Sequence, residues 1–277
     1  MHKSTVNIAI IDLYDGTPNQ GMRCLRDLLK QAGENRSDLD VAFDFFDTRH
    51  GGELPDINYD IFISSGGPGS PYDGRRQAWE KNYFNLVDRI YAHNQNGNPQ
   101  KKYVFFICHS FQMMVRFFGL AEVVKRHSQA FGIFPVHKTA AGRDDPLLQG
   151  LVDPFYGSDF RNWQVIQANR RQIESLGAKI LCMEKIRPHV SYERAVMAVR
   201  VSAEMVGTQF HPESDPASIQ WHLHHPAKKN RIIERWGMTK YRQMQVLADN
   251  TDAVAHTQGI IIPGFIKSAC RALRPAT

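Results

Sequence analysis

The sequence predicts an α/β fold: a single doubly wound, mostly parallel sheet with helices on both faces, followed by a helical extension. Two observations carry this. Strand-like apolar runs alternate with helix-period segments through the first half of the chain, the rhythm of a parallel sheet covered on both sides. Residues 103–120, YVFFICHSFQMMVRFFGL, then switch from one period to the other within a few positions. Residues 103–107 form an apolar run rich in aromatic and β-branched side chains, as expected for a strand buried on both faces. Phe111, Met114, Val115 and Phe118 fall at helical spacing, and Gly119 supplies a helix stop.

In chain order, residues 6–13 (VNIAIIDL) read as a first strand, 14–20 as a polar loop, and about 21–31 as a helix. Residues 41–46 alternate enough for a second strand, and 59–64 form a short third one that runs into a glycine-rich loop. Residues 77–93 place Trp79, Tyr83, Leu86 and Ile90 on one side of a helix, and 94–100 turn into the central strand. Beyond Phe131 shorter β pieces are expected, including a hairpin from 195–201 to 205–210. A last amphipathic helix is expected near 262–273, with no internal repeat and no low-complexity tract.

At 277 residues the chain is long enough to bury a large core. No stretch approaches the apolar length of a membrane span, and the amino terminus lacks a secretory apolar region. Cys24, Cys108, Cys182 and Cys270 are scattered without metal-ligand spacing and read as reduced thiols of a cytoplasmic protein. The net charge of +6 is mild and its basic residues are dispersed, so no nucleic-acid role is expected.

Three constellations carry chemistry. Cys108 sits in the tight turn between strand and helix, the setting of a nucleophile elbow, where the helix amino end lowers the cost of a thiolate. A buried structural cysteine is the rival reading. The loop GGPGSP at 66–71 follows a strand, where glycines let backbone N–H groups approach a ligand; the Walker lysine is absent, and an ordinary turn is the bland alternative. His211 and Glu213, two residues apart at the end of a predicted strand, suit a Cys–His–Glu arrangement in which the carboxylate orients the base.

Together these resemble the class I glutamine amidotransferases, whose pattern is a glycine-rich oxyanion loop, then G-x-C-x-G-x-Q, then a terminal H-P-E. Here the pieces read GGPGSP at 66–71, FICHSFQ at 106–112 and QFHPES at 209–214, with echoes in IDLYDGTPNQ at 11–20 and DPLLQGL at 145–151. The resemblance spans about Val6 to Asp215 and implies a flavodoxin-like sheet. It divides the chain into an amidotransferase-like domain, 1–215, and a helical extension, 216–277. It also implies that Cys108 attacks the side-chain amide of glutamine, with His211 and Glu213 completing the triad. The backbone N–H groups of Gly67 and His109 would form the oxyanion hole, with Gly69, Gln112 and Arg161 binding substrate. No cofactor or metal is implied. A synthase partner protein or a separate acceptor would take the ammonia.

Two departures mark this chain: Phe106 and Ser110 stand where the family usually has glycine. Phe106 must then point away from the elbow, or the turn is shaped differently. Arg161, in SDFRNW at 158–163, stands where the family tends to carry a His–Ser type pair, which opens the identity of the substrate. The alternatives are a Cys–His–Glu O-acyltransferase on an amino-acid hydroxyl, resembling the homoserine transacylases, and a non-catalytic binding protein. After Glu213 over sixty residues remain. His222, His224 and His225 invite a metal reading, but solvated histidines fit better because no carboxylate or cysteine completes a set. Ile232, Ile233, Trp236, Met244 and Leu247 recur at helical spacings, so this segment is expected to pack near the cysteine or to form a homodimer interface.

Overall fold

The computed structural model describes residues 4–34, 39–187, 193–249 and 251–273. Strand β1 (Ser4–Asp12) leads to helix α1 (Gln20–Glu34), β2 (Leu39–Asp47), β3 (Ile61–Ser64), α2 (Ala78–Gln95), β4 (Tyr103–Ile107) and α3 (His109–Phe118). Next come β5 (Glu122–Lys138), α4 (Ala140–Asp144), β6 (Phe155–Ile166), α5 (Arg170–Leu176), β7 (Lys179–Glu184), β8 (Val196–Arg200) and β9 (Met205–Thr208). Helical segments close the chain: α6 (Pro216–His224), α7 (Pro226–Asp249), which breaks at Gly237 with φ 81° and ψ 165°, and α8 (Thr251–Ala272).

The described strands form one nine-stranded sheet in the order β2-β1-β3-β4-β9-β8-β7-β5-β6. The first five strands are parallel and reproduce the 2-1-3-4-5 order of a flavodoxin-like core. The other four extend it antiparallel, so the sheet is mixed. The apolar runs explain the layers. On β4, Phe105 and Ile107 face one side with Leu25 and Leu29 of α1, while Val104 and Phe106 face the other with Tyr83 of α2 and Phe111 of α3. Both faces are therefore dry, as the near-continuous apolar strands required.

Where short β pieces were expected beyond Phe131, β5 runs for 17 residues and pairs with the 12-residue β6. The register shifts between Lys125 and Ala130, and this irregularity breaks the alternation that would have marked one long strand. The curl brings β6 back over the end of β9, where Ser158 bridges to His211. The last helix starts earlier than expected, at Thr251. Its Ile261, Ile262, Phe265 and Ile266 join the same core as β4, with the Phe265 ring 5.2 Å from that of Phe105. Helices α6 and α7 bury Ile219, Leu223, Ile232, Tyr241 and Met244 against Ile133 of β5. The side chain of Leu247 lies outside the described residues. Among the described residues no helix is long and apolar enough to cross a membrane.

Candidate active site

Ligands of open α/β sheets bind beyond the carboxyl ends of the parallel strands, and here β1, β3, β4 and β9 deliver Tyr14, Gly66, Cys108 and His211 to that edge. Cys108 occupies the residue between β4 and α3 with φ 48° and ψ −94°, a conformation that costs a non-glycine residue about 1–3 kcal/mol. The turn is held from several sides. The Cys108 N–H donates to the Thr208 carbonyl at 2.8 Å, and its own carbonyl accepts the Gln112 N–H at 3.0 Å. Its sulfur is 3.7 Å from Gln209 Nε2.

Three residues past β9, His211 Nδ1 lies 2.7 Å from Glu213 Oε1, and both side chains are buried. The backbone fixes the ring as well, because the His211 N–H donates to the Ser158 carbonyl at 2.8 Å. Burial works against a charged imidazole. The nearby Glu213 carboxylate and Cys108 sulfur outweigh it and raise His211 well above the usual histidine range.

The glycine loop packs against the same group. A β-carbon on Gly66 would sit 2.7 Å from His211 Cε1, and one on Gly67 would sit 2.4 Å from the Leu13 carbonyl oxygen and 3.4 Å from His109 Cγ. Glycine is thus what lets this loop lie between β1 and the head of α3. Gly69, at φ +80°, turns the loop outward where Asp73 Oδ2 accepts the Ser70 N–H at 2.7 Å. The His109 ring is neutral: burial, then Arg49 and Arg116, push it down to about 3. Its backbone opens α3 beside Gly67.

The "Glutamine amidotransferase class-I" family description matches residues 11–223. The chain belongs to this family.

Solved structures share the amidotransferase fold at low identity. A glutamine amidotransferase from Thermotoga maritima is 17% identical, with a TM-score of 0.66 over 98% of this chain and 99% of that one. A glutamine amido transferase from Methylobacillus flagellatus is 14% identical, with a TM-score of 0.64 over 100% and 98%. A protein described as a putative GMP synthase subunit, from Thermoplasma acidophilum, is 19% identical, with a TM-score of 0.52 over 77% and 87%. No curated protein matches in sequence.

Within this family member both departures from glycine have a local cause. Phe106 is fully buried on the face opposite the Phe105–Ile107 side and pairs in register with Gly207, whose missing β-carbon would sit 3.0 Å from Phe106 Cβ. The ring displaced from one strand is accommodated by a glycine on its neighbour. Ser110 Oγ lies 2.7 Å from the Ser64 carbonyl and accepts the Ile107 N–H, so it closes the end of the β3–β4 ladder.

The residues expected to bind substrate fall behind the cysteine. Gln112 Nε2 donates to Gln209 Oε1 at 3.0 Å, which braces the amide touching the Cys108 sulfur. Arg161 is buried, with Nε on Asp159 Oδ2 at 2.9 Å and Nη2 on Glu184 Oε1 at 3.3 Å. Its Nη2 also reaches Met197 Sδ, and the Met197 carbonyl accepts the Gln209 N–H. Ser158 Oγ, Asp159 Oδ1 and Arg161 Nη1 are buried without a hydrogen-bond partner.

Two features escaped sequence reasoning. Tyr14 is half-buried, its hydroxyl 3.1 Å from the Gly66 β-carbon position; desolvation and the nearby Glu213 carboxylate raise its pKa well above the usual phenol range. Only its place after the first strand hinted at this. In front of His211 opens a cleft of about 420 Å³, also lined by Tyr14, Gly67, Phe160, His222, Lys228 and Trp236. The helical extension thus forms one wall, and His222 belongs to it. Among the described residues no group of three or more His, Cys, Asp or Glu side chains could hold a metal.

Proposed function

We propose that this amidotransferase-family protein hydrolyses the side-chain amide of glutamine through a thioester on Cys108. The observation that carries the reading is the His211 ring, anchored to Glu213 at 2.7 Å and raised well above the usual histidine range by that carboxylate and the neighbouring Cys108 sulfur. This is a base oriented by a carboxylate and adjoining a nucleophile.

Sulfur attacks the amide carbonyl, and the oxyanion accepts hydrogen bonds from the N–H groups of Gly67 and His109. Each such donor contributes about 3 kcal/mol to the transition state. His211 gives its proton to the departing nitrogen and the C–N bond breaks, leaving ammonia and the acyl-cysteine. His211 then takes a proton from water, hydroxide attacks the thioester, and glutamate leaves as the thiol is restored. Arg161 and Asp159, buried and paired with each other at 2.9 Å, support the strand behind the cysteine rather than meeting the substrate directly. Gln112 serves by bracing Gln209, and Gly69 by setting the course of the oxyanion loop.

Residues 1–215 form the catalytic domain in this reading, and 216–277 roof its cleft. Released ammonia passes to a separate acceptor or a synthase partner, an assignment supported by the fold shared with the Thermoplasma acidophilum protein described as a putative GMP synthase subunit. The test is glutamine-dependent ammonia release by the purified chain. Cys108→Ala abolishes it and His211→Ala lowers it by about 10²–10⁴-fold. Absence of glutamine turnover in the wild-type protein would sink the proposal.

A further inference from the structure

On the antiparallel half of the sheet, positive charge gathers around Glu184, the last residue of β7. Its Oε1 accepts from Arg126 Nη2 at 3.0 Å, from Arg161 Nη2 at 3.3 Å and from Arg187 Nη2. Its main-chain carbonyl accepts Arg194 Nε at 2.8 Å. Among the described residues only Arg161 of these four forms a further ion pair, with Asp159. The irregularity in β5 frees Arg126 for this role, because residues 126–129 have no partner in the β5–β6 register. Arg126 Nε donates to the Ser128 carbonyl at 3.1 Å and Nη1 to Gln164 Oε1 at 2.8 Å, which fixes a guanidinium only 5% exposed.

Two adjoining cavities open onto this group. One of about 250 Å³ is lined by Arg126, Lys185, Arg187 and Arg194 against Glu184 and Glu193, an excess of two positive charges. The other, about 440 Å³, shares Arg126, Lys185 and Arg187 with it and adds Phe131, Phe134 and Trp236. Burial, then Arg161, lowers the Arg126 guanidinium against the pull of Glu184, and burial, Arg187 and Lys240 lower the Lys185 amine. Cations crowded in this way are stabilised by an anion. Arg187 Nε, buried without a hydrogen-bond partner among the described residues, is a donor for one.

A carboxylate brings one negative charge. A phosphate monoester brings about 1.5 to 2 at pH 7, with three acceptor oxygens, and so matches both the excess and the forks of the arginines. The larger cavity has a different character: its volume lies within the range of organic ligand sites, and its aromatic walls suit a flat ring. Lys185 lines both, with Nζ 5.5 Å from the centre of the Phe134 ring. We propose that the two cavities are halves of one nucleotide site, with a phosphate monoester on Arg126, Lys185 and Arg187 and the base among Phe131, Phe134 and Trp236. Phe131 and Trp236 also line the cleft in front of His211, so the occupant sits on the other side of those two side chains. No bond is made or broken in this site, and the inference does not rest on the thioester reading of Cys108.

The experiment titrates the full chain by calorimetry with AMP, GMP, CMP and UMP, with their nucleosides and with inorganic phosphate. At least one monophosphate is expected to bind about tenfold or more tighter than its nucleoside and than inorganic phosphate, the worth of a charge-assisted hydrogen bond. Arg187→Gln and Lys185→Gln, which leave Arg126 and Glu184 in place, each weaken the nucleotide by about the same factor and leave the nucleoside unchanged. Phe134→Leu weakens the nucleotide and not inorganic phosphate. Absence of binding by all four monophosphates at about millimolar concentration overturns the inference. So does nucleotide binding that Arg187→Gln and Lys185→Gln both leave unchanged. Cys108→Ala is expected to bind nucleotide as wild type does, and loss of binding there would put the ligand in the catalytic cleft and overturn the site. Nucleotide binding by a chain that fails to turn over glutamine upholds this inference and removes only the thioester reading.

Discussion

Ser110 Oγ accepts the Ile107 N–H at 2.8 Å, from the first turn of the helix back to the last residue of the strand before it. The same hydroxyl lies 2.7 Å from the Ser64 carbonyl. It bridges these two backbone groups, and all three residues are buried. Replacing Ser110 with the glycine usual in the family therefore relaxes nothing. It orphans a donor and an acceptor, each costing about 1–3 kcal/mol. Ser110→Gly is expected to lower unfolding free energy by at least about 2 kcal/mol in urea titration, with no gain in turnover. A neutral or stabilising result would mean that the hydroxyl does not close the ladder.

Gly66 tests the placement of the base. A methyl at this position would sit 2.7 Å from His211 Cε1 and 3.1 Å from the Tyr14 hydroxyl, so the imidazole has to move. A displacement of about 1 Å in a reacting group costs about 10²-fold. Gly66→Ala is expected to lower kcat by that order with a much smaller change in KM. Unchanged kcat would place the reacting edge of His211 elsewhere.

The charge on His211 sets a pH prediction. Burial depresses the ring, and Glu213 and Cys108 raise it further than burial lowers it. Its contribution to stability is complete below the unfolded value near 6.5 and is lost as pH rises through the higher folded value. Removing the carboxylate leaves burial with less opposition. Glu213→Gln is expected to move the His211 titration, followed by NMR of the ring, to lower pH. The stability gap between the two proteins should be widest below pH about 6.5 and close as pH rises. A titration unmoved by the substitution would remove Glu213 from the account of that charge.

The parallel half of the fold was legible because strands buried on both faces and amphipathic helices write their periods directly into the sequence. The strand–turn–helix at Cys108 and the two-residue step from His211 to Glu213 are local patterns of that kind. The antiparallel half was harder to read. The register shift between Lys125 and Ala130 interrupts alternation, so one strand of 17 residues resembled fragments. Phe106 and Ser110 looked like obstacles because their compensations, Gly207 and the Ser64 carbonyl, belong to other strands. The same applies to Lys228: its partners His222 and Trp221 come from the preceding helix, and the cleft that Lys228 and His222 share with His211 is built from segments far apart in the chain.

The most direct test of the central claim is the identity of the group that labels Cys108. Burial pushes the Cys24 thiol up to about 12 and raises Cys182 further, so neither competes as a nucleophile. The full chain is incubated with 6-diazo-5-oxo-norleucine, with or without glutamine, and in parallel with acetyl- or succinyl-coenzyme A, and Cys108 is read by peptide mass. The account predicts a single adduct from the glutamine analogue on Cys108, suppressed by glutamine and slowed in His211→Ala, with no acyl mass from either thioester. An acyl mass on Cys108 without labelling by the analogue would contradict it and make the protein an acyltransferase.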